Sequence, residues 1–119
     1  MGTYMLLIHG DQEAWDSMSP QEQDRIGAGH RLFREAAGEA VLEGRELAST
    51  TTATTLRSRG GARPEVTDGP FLETKEVVGG YYVITAEDLD AAIRLASLLP
   101  ETAAEYASGV EIRPVVEPG

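Results

Sequence analysis

The sequence predicts an α+β fold in which an antiparallel sheet packs against two main helices. Two stretches carry apolar residues at helical spacing and begin with capping residues. Short runs rich in β-branched and aromatic residues lie before, between and after those stretches, as expected of strands. The chain has 119 residues, a length that fits one domain with a single core. We therefore expect one domain over residues 1–119.

The first predicted strand covers residues 3–9, which read TYMLLIH between Gly2 and Gly10. Successive side chains of a strand point to opposite faces, and both sets are largely apolar here. Both faces of this strand are therefore expected to be covered. Residues 10–18, which include Trp15, are predicted to form a loop.

The first predicted helix begins at Ser19-Pro20-Gln21-Glu22. Ser19 suits the N-cap, Pro20 the first helical position, and Glu22 the third position of a capping box. The helix is expected to end near Gly38. Its inward face is predicted to carry Ile26, His30, Phe33 and Ala37.

The centre of the chain is predicted to contain two strands, at residues 41–47 and 51–57, followed by a turn and a third strand. The turn is Asp68-Gly69-Pro70, in which Gly69 admits a positive φ and Pro70 fixes the next φ. The strand at residues 77–84 is the most β-like segment of the sequence.

The second predicted helix begins near Thr85 and stops at Pro100. A short helical turn over residues 101–107 and a last strand over residues 110–116 follow. Pro114 places that strand at an edge of the sheet, because proline cannot donate to the ladder. The order of elements is that of a ferredoxin-like fold with both helices on one sheet face. The other face is also apolar, so we expect a homodimer that buries it.

Composition excludes several classes of protein. There is no cysteine, which rules out disulfides and thiolate chemistry. The formal net charge is −10, so direct nucleic-acid binding and attraction to anionic membranes are disfavoured. No window approaches the roughly 20 apolar residues of a membrane span. A cytoplasmic protein is the expectation.

Three residues are candidates for proton transfer. Asp68 suits a general acid or base, although the turn motif favours a carboxylate that caps the turn. His9 and His30 are the only histidines, and Asp11 stands two residues after His9, on the same side of an extended chain. His30 lies on the inward helix face, where a hydrogen-bonded core histidine and a catalytic one are both possible.

Three further residues are candidates for binding a substrate. Arg57 and Arg113 suit a small carboxylate, although Arg113 is also placed to pair with a residue of the protein itself. Tyr81 and Tyr82 point to opposite faces, so one is expected in the core and Tyr82 is assigned to the cleft. Neither a phosphate loop nor a zinc motif occurs, and we expect no cofactor and no metal.

The stretch Asp68-Gly69-Pro70-Phe71, together with what surrounds it, closely resembles the DGPF branch of the YCII-related family. The resemblance implies a dimeric α/β-barrel of no established activity, with a cleft that holds a histidine and an aspartate. It is carried by the opening strand, Ser19-Pro20, Glu73, Thr74-Lys75-Glu76, Gly80, Pro100 and the ending Glu111-Ile112-Arg113-Pro114-Val115.

Two functions follow as hypotheses. The first is cofactor-free acid–base chemistry of the isomerase or lyase type on a small anionic molecule, carried by Asp68, His9 and His30. The alternative is a non-enzymatic regulatory partner, since the DGPF branch is associated with extracytoplasmic-function sigma factors.

Overall fold

The computed structural model describes residues 1–104 and 108–117 of the chain. Its strands are β1 (Gly2–Asp11), β2 (Val41–Glu46), β3 (Thr54–Arg57), β4 (Glu65–Asp68), β5 (Glu76–Ala86) and β6 (Ser108–Pro114). Its α-helices are α1 (Gln12–Asp16), α2 (Pro20–Ala37) and α3 (Leu89–Ala96). Single 3₁₀ turns occur at Gly38–Ala40, Thr50–Thr52 and Pro100–Thr102.

Four strands form the main sheet in the order β2-β5-β1-β6, and every neighbouring pair is antiparallel. The first and third of these strands in chain order, β1 and β5, are central, and β6 lies at an edge as Pro114 predicted. The α+β class is confirmed, and the sheet is consistent with a ferredoxin-like fold.

The core joins this sheet to two helices. Leu6 and Ile8 of β1 are buried with Tyr82 and Ile84 of β5, because alternate residues of each strand face the same side. Phe33 of α2 is fully buried in the same cluster. The small side chains Ala92 and Ala96 of α3 complete it.

The predicted bounds of α2 are confirmed. The hydroxyl of Ser19 accepts a hydrogen bond from the backbone N–H of Glu22 at 3.1 Å, and Pro20 occupies the first turn. Gly38 ends the helix with φ of 55°, a conformation that favours glycine.

The predicted loop over residues 10–18 is wrong, because residues 12–16 form α1. Asp11 caps this short helix by accepting a hydrogen bond from the N–H of Glu13 at 2.9 Å. The predicted start of the second helix at Thr85 is also wrong. Strand β5 continues to Ala86, and Asp88 caps α3 by accepting from the N–H of Ala91 at 2.9 Å.

The predicted strand at residues 51–57 is shorter than expected, since Thr50–Thr52 forms a 3₁₀ turn before β3. Strand β4 was not predicted. It pairs with β3 in a two-stranded sheet of its own, which we call the hairpin arm (residues 54–68). The turn after it has the predicted geometry, because Gly69 adopts φ of 113°.

The hairpin arm extends from the body of the protein. The radius of gyration is 16.2 Å, compared with about 13.5 Å for a compact domain of this length. Leu56 and Val66 are cross-strand neighbours in the arm, and they are 60% and 64% exposed. The base is tied down by hydrogen bonds from Thr55 Oγ1 to Gly69 O and from Gly69 N to Ala53 O, both 2.7 Å.

The helical turn predicted over residues 101–107 is seen as the 3₁₀ turn Pro100–Thr102, whereas residues 105–107 lie outside the described part of the chain. In the part that is described, no helix has both the length and the apolar content needed to cross a lipid bilayer.

Candidate functional site

A cleft of about 690 Å³ opens between α2, the short helix α1 and the ends of β2 and β5. Its walls bring together an indole, a phenol, an imidazole, a carboxylate and guanidinium groups. The lining includes Trp15, His30, Arg31, Arg34, Tyr82 and Glu101.

Glycines in the strands let two aromatic rings lie directly on the sheet. A Cβ at Gly79 would lie 2.4 Å from Cζ3 of Trp15, and one at Gly10 would lie 2.4 Å from its Cζ2. A Cβ at Gly44 would lie 2.5 Å from Cδ1 of Tyr82. Because real Cβ atoms do not approach ring carbons so closely, these positions have room for glycine only.

Helix packing explains how a carboxylate reaches His30. Gly29, the preceding residue, lies so close to Pro100 that a Cβ there would be 2.9 Å from the proline Cγ. Pro100 starts the 3₁₀ turn that carries Glu101. The close approach of α2 to this turn therefore places Glu101, which is 5% exposed, beside the imidazole.

Hydrogen bonds link these side chains in a row. Nε2 of His30 lies 2.8 Å from Oε2 of Glu101, and Nδ1 lies 2.8 Å from the phenolic oxygen of Tyr82. Nη1 of Arg34 donates to the same phenolic oxygen at 3.2 Å. Both nitrogens of His30 are thus engaged, and Tyr82 lies between an imidazole and a guanidinium.

The network assigns the protons. A carboxylate of Glu101 only accepts hydrogen bonds, so Nε2 of His30 carries a proton. In the neutral imidazole Nδ1 is then an acceptor, and the phenol of Tyr82 donates to it. The phenolic oxygen in turn accepts from Arg34, which is always charged. The direction of donation runs from Arg34 through Tyr82 and His30 to Glu101.

One atom of this row has no partner among the described residues. Oε1 of Glu101 is buried and makes no hydrogen bond. A buried carboxylate oxygen without a donor is costly, so the carboxylate is held here by its bond to His30 and by the packing of Pro100 on α2.

Burial raises the pKa of the Tyr82 phenol, and the nearby Arg34 partly opposes the shift. The phenol is therefore the form present at neutral pH, since a free tyrosine already ionises only near pH 10. Tyr82 consequently enters the hydrogen-bonded row with its proton in place.

An alkaline titration followed by absorbance at 295 nm reports the ionisation of tyrosines. We expect the Tyr82→Phe variant to lack one phenol that, in the wild-type protein, ionises above the usual pH range. Because the folded protein raises this pKa, the stability that the neutral phenol contributes is present below about pH 10 and is lost as the pH rises through the folded value. Wild-type protein should then lose stability in alkali faster than the variant. An unchanged titration in the variant would contradict the assignment.

The structure brings together two of the six sequence-predicted site residues, His30 and Tyr82. The other four lie in two separate places, and none of them lines the cleft. The proton-transfer and binding roles predicted for those four stay predictions.

His9 and Arg113 meet on strands β1 and β6, where both bond Glu111. Nε2 of His9 lies 2.9 Å from Oε1 of Glu111, and Arg113 donates to its Oε2 through Nε at 3.1 Å. Arg113, with a smaller contribution from His9, holds the pKa of Glu111 below its usual range. The predicted partner of His9, Asp11, instead caps α1, because it is the last residue of its strand.

Asp68 and Arg57 belong to the hairpin arm. Asp68 ends β4 in an exposed position, and its carboxylate makes no hydrogen bond or ion pair to any residue that the structure describes. The guanidinium of Arg57 lies 4.1 Å from the ring centroid of Phe71 and donates to the Phe71 carbonyl at 2.6 Å. Through these two contacts, Arg57 holds the segment after the turn against β3.

Sequence reasoning missed Glu101 and Arg34. Glu101 follows a helix-stopping proline, which gives no sign that it returns to α2. Arg34 stands four residues after His30, and on a helix this spacing places both on one face. That spacing was the available signal for Arg34.

Within the described ranges there is no group of three or more His, Asp and Glu side chains arranged to hold a metal ion. The carboxylate partner of His30 is a glutamate, Glu101, rather than the aspartate that the resemblance implied.

Comparison with known proteins places this chain in a family. The YCII-related domain matches residues 3–117, which includes every element of the cleft. An uncharacterized protein of Rhizobium meliloti (strain 1021) is 34% identical over 116 residues, an alignment that covers 94% of this chain and 90% of the relative. On both grounds, the chain belongs to the YCII-related family.

Proposed function

We propose that the cleft performs cofactor-free proton transfer on a small organic molecule, as an isomerase or lyase does. One observation carries the proposal: both nitrogens of His30 are hydrogen-bonded, one to Glu101 and the other to Tyr82. A base oriented by a buried carboxylate and coupled to a phenol is an arrangement that suits general acid–base catalysis.

The proton moves along this row. A substrate C–H next to a carbonyl gives its proton to the phenolic oxygen of Tyr82 while Tyr82 passes its own proton to Nδ1 of His30. The electron pair stays on the substrate as an enolate, and the imidazolium is stabilised by Glu101. Arg34 stays bonded to the phenolic oxygen and stabilises the negative charge that develops there as the proton leaves. Return of the proton to a different atom of the substrate completes an isomerisation.

Hydrogen–deuterium exchange tests this without knowledge of the natural substrate. We expect the protein in D₂O to accelerate loss of C–H signals from at least one compound in a panel of small ketones, oxo acids and lactones, followed by proton NMR. His30→Gln, which keeps a side chain of similar length, is the control. Failure of every compound to exchange faster with wild type than with the control would sink the proposal.

We further propose that two helices cover one sheet face and that the chain forms a homodimer through the other. Met5 and Leu7 of β1 and Tyr81 and Val83 of β5 alternate with the core residues, and all four are partly exposed in the protomer. A contiguous apolar surface on a sheet favours burial against a second copy.

We expect Leu7→Glu to convert the dimer to a monomer, because each copy would bring an unpaired charge into the interface. Sedimentation equilibrium should give twice the 12.8 kDa chain mass for wild type and the chain mass for the variant. Leu42→Glu, at a position already 58% exposed on β2, is the control. A wild-type monomer, or a variant that still dimerises, would argue against this interface.

A second candidate function is favoured by the hairpin arm. Leu56 and Val66 on the arm, with Phe71 and Leu72 after it, are each more than half exposed, a feature of surfaces that bind another protein. The sequence-derived alternative, a regulatory partner of a sigma factor, fits such a surface. A purely regulatory protein would not accelerate hydrogen–deuterium exchange of any small molecule, so the NMR assay separates the two functions.

A further inference from the structure

We infer that the cleft binds the carboxylate of a small, flat organic acid between the guanidinium groups of Arg31 and Arg34. The inference rests on the proposed function, since it names the class of substrate for the same cleft. It moves the anion-binding role from Arg57 and Arg113, where the sequence placed it, to two arginines of α2.

Arg31 and Arg34 lie on the wall that carries His30. Nη1 of Arg31 lies 3.8 Å from the position that a Cβ of Gly27 would take, so its guanidinium lies over a glycine that also lines the cleft. Nη1 of Arg34 contacts the phenolic oxygen of Tyr82 at 3.2 Å. An anion at these two groups would therefore lie next to the proton-transfer row.

Both guanidinium groups have N–H donors that are available to a ligand. Neither forms an ion pair with a carboxylate of the described chain, whereas Arg25, Arg59 and Arg113 do. Arg34 uses one donor for Tyr82, and a guanidinium has five. A carboxylate matches the remaining fork, since its two oxygens accept two parallel hydrogen bonds.

The shape of the cleft selects a flat molecule. The indole of Trp15 lies on the sheet at Gly10 and Gly79, and it lines the cleft. An aromatic ring on a side-chain-free floor offers a planar apolar surface on which another flat group can stack.

The facing wall limits the charge of the ligand. Asp16 on α1 and Arg45 and Glu46 on β2 also line the cleft, and all three are exposed, so this wall carries a net negative charge. A second anionic group reaching that wall would meet like charges. The ligand class is therefore a flat monocarboxylate, with its carboxylate toward α2 and its apolar part toward Trp15.

The fluorescence of Trp15 reports binding directly, because it is the only tryptophan of the chain. We expect benzoate to change the emission saturably. Benzamide, which has the same shape without the charge, should bind at least about tenfold more weakly, a difference of about 1.4 kcal/mol. Benzylamine, which carries the opposite charge, should bind more weakly still.

Two arginine variants locate the anion. Arg31→Met and Arg34→Met should each raise the dissociation constant of benzoate at least about tenfold. Arg94→Met, on α3 and outside the cleft, should leave it unchanged. Circular dichroism confirms folding of each variant, and Arg31→Gln replaces Arg31→Met if the latter is misfolded. Equal binding of benzoate and benzamide by wild type, or Arg31 variants that bind benzoate as Arg94→Met does, would overturn the inference.

The outcome is separable from that of the proposed function. His30→Gln should retain benzoate binding while it loses hydrogen–deuterium exchange. Benzoate binding without exchange of any compound would refute proton transfer and leave the anion site standing. Exchange of neutral ketones without benzoate binding would refute the anion site and leave proton transfer standing.

Discussion

Tyr82→Phe is expected to slow protein-catalysed hydrogen–deuterium exchange by about 10²- to 10⁴-fold, the usual contribution of a positioned acid–base group. The substitution removes the atom that connects His30 to Arg34 and, in the proposed mechanism, to the substrate. Proton NMR in D₂O, with the compound that wild type exchanges fastest, measures the effect.

The same variant should stay folded. The ring of Tyr82 packs on Phe33 with centroids 4.7 Å apart, and phenylalanine keeps that contact. Loss of the hydroxyl costs its hydrogen bonds to His30 and Arg34, worth about 0.5–1.5 kcal/mol each. Urea denaturation should therefore show a cooperative transition with about 1–3 kcal/mol less unfolding free energy, beside a large loss of exchange.

Tyr81→Phe is the matched control, since it makes the same chemical change one residue earlier. Tyr81 points to the opposite sheet face, where its hydroxyl donates to Glu43 Oε1 at 2.8 Å. Its exchange rate should equal that of wild type. If Tyr82→Phe exchanged as fast as wild type, or if both variants slowed equally, the phenol of Tyr82 would have no role in proton transfer.

How much of this could be foreseen depends on the range of each interaction. Alternation along β5 placed Tyr81 and Tyr82 on opposite faces, and helical spacing placed His30 inward. Both are local consequences of backbone geometry, and both are confirmed. The short helix α1 was missed because five residues are too few to show a period, and its signal was the capping Asp11 alone.

Glu101 could not be foreseen, because its partner is 71 residues away in sequence. Gly29 carried a partial hint, since a glycine inside a helix weakens it unless a close contact needs the space. That contact is with Pro100, and it positions Glu101 beside His30. The hairpin arm was missed for another reason. Asp68-Gly69-Pro70 correctly predicted a turn, but it gave no sign that a separate pair of strands precedes that turn.

The close packing of the Tyr82 ring on Gly44 leads to the second large effect that we expect. Gly44→Ala should lower the unfolding free energy by about 1–3 kcal/mol, the usual cost of overpacking a core. The new Cβ would lie 2.5 Å from Cδ1 of Tyr82 and 2.6 Å from Cε1. Because the ring also packs against Phe33, it can yield only toward the cleft, away from its bonds to His30 and Arg34.

Gly61→Ala separates this clash from the general effect of replacing glycine. A Cβ at Gly61 would meet nothing within 4 Å, and its φ lies outside the positive region, so the variant should match wild type or gain slightly in stability. Displacement of the Tyr82 ring should also stretch its bond to His30, so Gly44→Ala should lose exchange activity together with stability. If Gly44→Ala instead unfolded at the same urea concentration as Gly61→Ala, the ring of Tyr82 would not be fixed by the sheet beneath it, and the positioning of the phenol would have to come from His30 and Arg34 alone.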